Sequence, residues 1–160
     1  MLTATFDTNV FPAAPLIERA RLSGIQACAV TVSVREVEGS SLEAELAALQ
    51  ALPEVAVWNE SRWDQANWAG DDNAAPLERA LQVLSNGSFP PSAQRTSLSP
   101  GQRRQLRDAI ILATHVREHR DILVSNDRRA FIDNGRRETI QSEFGTRVLT
   151  VPEFELEMSS

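Results

Sequence analysis

Short apolar runs alternate with helix-patterned segments along this chain, and that alternation restricts its possible folds more than any other feature. Residues 3–6 and 27–32 read as short buried strands, with a helix around 15–22 between them. A third strand candidate, 54–58, follows Pro53, and 122–125 and 147–151 are the last. Between them, Ser33-Val34-Arg35-Glu36 has the form of a capping box and should open a helix. Gly39 interrupts it, and Ser40 restarts a second helix with Leu42, Leu46, Leu49 and Leu52 on one stripe. A polar stretch, 59–73, precedes a helix from Pro76 that aligns Leu77, Ala80, Leu81 and Leu84, and 86–97 is loop by composition. Ser99-Pro100-Gly101-Gln102 supplies an N-cap, a proline at the first helical position and a glutamine three residues after the cap, for a helix running to about His119. Strands alternating with helices call for a mostly parallel sheet covered on both faces. The expectation is one three-layer α/β domain over residues 1–160, a length that suffices for its own core.

Where the acidic residues fall within this pattern is what points to chemistry. Asp7 and Asp127 follow apolar runs, and Asp108 interrupts the helical run Leu106-Arg107-Asp108-Ala109-Ile110-Ile111-Leu112. A carboxylate among buried side chains costs several kcal/mol unless it is paired or bound to a metal. In open parallel sheets, ligands gather beyond the carboxyl ends of the strands, where strand order reverses. If the first and fourth strands are neighbours, Asp7 and Asp127 lie side by side. Asp108 leans over the same edge from the helix before the fourth strand, and Glu36 comes from the helix after the second. An oxygen-only donor set of this kind suits Mg²⁺ or Mn²⁺. Each acid also has a plainer reading. Asp7 and Asp127 are good N-caps, although Val10-Phe11-Pro12 argues against an immediate helix after Asp7. The capping box accounts for Glu36, and Arg104 or Arg107 could pair with Asp108.

At these residues the chain resembles the PIN-domain ribonucleases. The matching pieces are Phe6-Asp7-Thr8-Asn9, Val32-Ser33-Val34-Arg35-Glu36, Arg107-Asp108-Ala109-Ile110-Ile111-Leu112-Ala113-Thr114, and Ile122-Leu123-Val124-Ser125-Asn126-Asp127 with Phe131. The resemblance implies strand order 3-2-1-4-5 and Mg²⁺- or Mn²⁺-dependent cleavage of RNA at Asp7, Glu36, Asp108 and Asp127, all four also being the metal ligands. It further implies the toxin half of a toxin–antitoxin pair of the VapC type, a homodimer blocked by a small antitoxin protein. Asn9 and Ser125 are expected to hydrogen-bond a carboxylate or the phosphate, and Arg107, Arg128 and Arg129 to contact RNA phosphates.

The net charge of −6 argues weakly against nucleic acid, but it hides an asymmetry. Residues 1–94 carry 5 Arg and 12 acids, whereas residues 95–147 carry 11 Arg and 7 acids. No lysine occurs, so every side-chain cation other than histidine is a guanidinium able to grip phosphate bidentately. No apolar run reaches the roughly 20 residues needed to span a bilayer, and the start has no basic region or cleavage-site pattern for export, so a cytoplasmic location is the expectation. Cys28 is expected to be a buried small residue. His115 and His119, one turn apart, read as a plain surface helix, and Asp133 as part of a turn. Trp58, Trp63 and Trp68 are read as core or dimer packing, with base stacking as the alternative. A haloacid-dehalogenase-like phosphatase or a receiver domain needs a lysine that this chain lacks. A catalytically silent PIN module serving as an RNA- or protein-binding platform remains the rival reading.

Overall fold

The computed structural model describes residues 1–57, 60–62, 64–67 and 74–160. Trp58, Trp63 and Trp68 lie outside the described residues, as does part of the polar 59–73 stretch.

A five-stranded sheet is built on β1 (Leu2–Phe6), flanked by β2 (Ile25–Val30) and β6 (Ile122–Val124), with β3 (Gln50–Leu52) and β7 (Arg147–Leu149) at its edges. Every pairing in it is parallel. Two short strands, β4 (Glu54–Val55) and β5 (Ala66–Asn67), form a separate parallel pair. Counted along the chain the main order is therefore 3-2-1-6-7 rather than 3-2-1-4-5. The expected third strand at 54–58 also needs correction. Main-sheet pairing belongs to Gln50–Leu52, and Pro53 separates it from Glu54–Val55, which pairs with Ala66–Asn67 instead. The leucine stripe is likewise cut short: α3 covers only Glu43–Ala47, and Leu52 sits in a strand.

Two apolar clusters show why the strands are so uniformly hydrophobic. Side chains alternate across a pleated sheet, so Cys28 and Val30 of β2 join one cluster while Ala29 joins the other. The first cluster packs beneath α4 (Ala74–Leu84) and α5 (Pro100–Arg117), the second beneath α1 (Ala14–Leu22) and the last helix, Val151–Met158. Helices thus cover both faces. The α5 capping box forms as expected: Gln102 N donates to Ser99 Oγ at 3.1 Å, and Ser99 N donates to Gln102 Oε1 at 2.9 Å.

The second capping box does not form. Chain from β2 enters α2 (Thr31–Glu36) directly, with Val30 as the cap residue, so Ser33 lies buried inside the helix and Glu36 is its last residue. The short β4 strand anchors α2. Glu54, wholly buried, accepts from Arg35 Nη1 and, at 2.9 Å, from Arg35 Nη2, from Thr31 Oγ1 at 2.9 Å and from Ser61 Oγ at 2.6 Å. A buried carboxylate with this many donors has its desolvation offset by charge-assisted bonds. No described helix is long and apolar enough to cross a membrane.

Candidate active-site cleft

The order 3-2-1-6-7 puts the reversal of direction at β1, and the chain leaves β1, β2 and β6 at the same edge of the sheet. Asp7 is the first residue beyond β1. Its backbone N–H donates to Val124 O at 2.9 Å, which continues the pairing with β6. Despite the sequence after it, Asp7 does cap a short 3₁₀ turn, Thr8–Val10: Thr8 N donates to its Oδ1 at 2.8 Å. Ser125 Oγ donates to Asp7 Oδ2 at 2.7 Å and accepts from Asp127 N at 3.0 Å. One buried hydroxyl therefore ties the ends of two adjacent strands together, and Ser125 fills the carboxylate-bonding place expected of it. Burial of Asp7 outweighs these bonds, and with the nearby Asp127 it pushes the Asp7 pKa up to about 6.

Asp127 caps the short helix α6 (Arg128–Phe131) by accepting from Ala130 N at 3.0 Å. Glu36 is freed from any capping task by the early start of α2. Thr8 Oγ1 donates to Ser33 Oγ at 2.8 Å and has Glu36 Oε1 at 3.4 Å as a longer neighbour. Desolvation and the neighbouring Asp7 raise the Glu36 pKa, with Arg107 opposing them. Asp108 lies within α5, and no hydrogen bond reaches its carboxyl among the described residues. Burial first, then Asp7, Asp127 and Glu36, push its pKa up to about 8, while Arg104 opposes them. Asp108 is thus the focus of repulsion from all three other acids.

All four acids line one cleft of about 500 Å³, together with Thr8, Asn9, Arg103, Arg104 and Arg107. They come from four separate segments of chain. Among the described residues, however, no group of three or more Asp, Glu, His or Cys side chains stands close enough to hold a metal ion as it is. The cleft's side-chain donors at the acids are all oxygens, the donor type of Mg²⁺ and Mn²⁺, which keep several waters and use one or two carboxylates with substrate phosphates rather than an all-protein cage. The acids are also a set whose mutual repulsion a cation would relieve.

The other expected site residues divide. Asn9 does line the cleft, but its Oδ1 accepts from Asn126 N at 3.0 Å rather than bonding Asp7, so it braces the loop leading to Asp127. Arg107 lines the cleft while donating from Nε to Glu60 Oε1 at 2.8 Å. Arg128 pairs with Asp133 at 3.0 Å and is not among the cleft residues. Arg129 lines an adjoining cavity that shares Asp108 and Asp127. Thr8 and Arg103 also line the cleft without being expected there, and Arg104 is expected only as a counter-ion for Asp108. Spacing is the signal for Arg104, four residues before Asp108 and so on the same helical face.

His115 is not a surface residue. It is fully buried, with Nδ1 at 2.9 Å from Thr5 Oγ1 and Nε2 against Thr146 Oγ1, and burial lowers its pKa to about 3. His119 is exposed beyond the helix end, in the left-handed region at φ 51°. The turn at Asp133 is as expected, with positive φ at Asn134 and Gly135, and Cys28 is buried.

No protein-family model matches the chain, and comparison with curated proteins and with solved structures finds no match either.

Proposed function

We propose that this chain is a PIN-like, divalent-cation-dependent endoribonuclease. The observation that carries the reading is the unpartnered carboxyl of Asp108 facing Asp7, Asp127 and Glu36 in one cleft. Asp7, Asp108 and Asp127 would hold Mg²⁺ or Mn²⁺, with Glu36 joining directly or through water. When bound, such an ion makes water a better nucleophile and neutralises charge on the phosphodiester. Ser125 and the Thr8 N–H fix Asp7, and the Thr8 hydroxyl, bonded to Ser33, lies 3.4 Å from Glu36. Arg103, Arg104 and Arg107 supply guanidinium groups along the cleft to orient the phosphate. The three-layer PIN-like description, an RNA substrate, homodimerisation and a toxin role checked by an antitoxin all belong to this same reading.

A catalytically silent binding platform is the alternative, and the two are separated by RNA hydrolysis. Incubated with RNA and Mn²⁺, the protein should release 5′-phosphate fragments, EDTA should stop the reaction, and Asp7→Asn should lower the rate by a hundredfold or more. Equal cleavage by both proteins, or by neither, contradicts nuclease action.

A further inference from the structure

Beside the acidic cleft is a second cavity of about 610 Å³, and the two share Arg104, Asp108 and Asp127 as walls. The rest of its lining is largely hydroxyl, amide and guanidinium, including Ser99, Gln105, Arg129 and Asn134.

The arginines of the whole chain indicate what such a lining is for. Sixteen are present, and all lie among the described residues. Eleven of them pair with a carboxylate. Two more are held by oxygens, Arg120 by Gln26 Oε1 and Arg136 by the Leu84 and Ala130 carbonyls. Among the described arginines only Arg103, Arg104 and Arg129 make neither a side-chain hydrogen bond nor an ion pair. All three line the acidic cleft or its neighbour. In a chain that otherwise gives every guanidinium an internal partner, the three without one border two cavities that share a wall; away from them, among the described residues, only Arg120 Nε is a buried nitrogen left unbonded. Gln105 and Asn134, which line the second cavity, also make no side-chain hydrogen bond among the described residues. A free amide offers a donor and an acceptor together, as the edge of an unpaired base requires.

We propose that the second cavity is a nucleotide subsite for the residue flanking the reacting phosphodiester. Arg104 and Arg129 hold that nucleotide's phosphate, and Gln105 and Asn134 bond the edge of its base. Because the Watson–Crick edge, the one they read in this proposal, is open only in an unpaired base, the substrate at this site is single-stranded. The subsite rests on the nuclease reading for its position relative to the reacting bond, but it is tested by binding alone.

Fluorescence anisotropy in EDTA, with a labelled RNA oligonucleotide as a single strand and annealed to its complement, reads affinity without turnover. The single strand should bind about tenfold tighter or more. Arg129→Ala should weaken it similarly for all four homopolymers and reduce the slope of log affinity against log salt by about 0.7. Gln105→Ala should leave that slope unchanged and flatten the preference among the four bases. Both side chains are surface-accessible, so the unfolding temperature of each variant serves as the control for folding. Duplex binding as tight as single-strand binding overturns the subsite, as does a salt slope that Arg129→Ala does not move. Cleavage by a protein whose binding ignores Arg129 removes the subsite and leaves the nuclease standing. Binding of the predicted form without cleavage does the reverse.

Discussion

At the scale of single residues, the acids and His115 pull stability in opposite directions with pH. His115 is held neutral, with its pKa lowered from 6.5 to about 3, so its contribution is complete above 6.5 and is lost as pH falls towards 3. Asp108 is the reverse case. Its pKa is raised from 3.8 to about 8, so the fold holds its proton more tightly than the unfolded chain does, and stability falls as pH rises through that range. Asp7 behaves likewise up to about 6. Between pH 6.5 and 8, Asp108 therefore dominates. Without divalent cations the protein should lose about 1–2 kcal/mol of stability across that interval. Asp108→Asn should remove most of that loss, as urea titrations at several pH values would show. An unchanged pH profile in the variant would mean that Asp108 does not feel its neighbours. The buried pair makes a second prediction. Arg35→Ala strands the Glu54 carboxylate, which has no access to solvent, and should cost about 3–5 kcal/mol by chemical denaturation.

Among the elements, α5 has the clearest start signal and should respond to its loss. Ser99→Ala removes the acceptor for Gln102 N and should cost about 1 kcal/mol. Thermal unfolding of the variant checks it, and an unchanged midpoint would mean that the cap contributes nothing. Elements with strong local chemistry were legible in the sequence: α5 from its capping box, α4 from its apolar stripe, β1 and β6 from apolar runs closed by an acid. Those set by long-range pairing were not. Gln50–Leu52 has only three residues, too few for any period, and it continues a leucine pattern that looks helical. Its strand state comes from pairing with Cys28, Ala29 and Val30. Similarly, Ser33 and Glu36 satisfy the spacing of a capping box, yet β2 delivers the chain to the sheet edge three residues before the helix would need it.

For the molecule as a whole, the site is legible to the extent that topology makes it. Asp7 and Asp127 could be placed together because adjacent parallel strands end at one edge, and the shared cleft agrees with that reasoning. What the sequence could not supply was the use of each side chain. Asn9 and Arg107 look equally available for phosphate on paper, but Asn126 and Glu60 engage them. Ser125 bridging Asp7 and Asp127 depends on the β1–β6 register, not on any local pattern. Nor does a list of acids say whether they already form a cage. They line one cleft without any preformed three-ligand group among the described residues, so on the proposed reading cation binding and the relief of repulsion are a single event. The most direct test is thermal unfolding of the full chain at pH 8 in EDTA and in excess Mn²⁺. At a concentration about a hundredfold above the dissociation constant, Mn²⁺ should raise the midpoint by about 5 °C or more, and Asp108→Asn should abolish most of that rise. A wild-type midpoint that Mn²⁺ does not move would contradict the idea that these four carboxyls exist to share a cation.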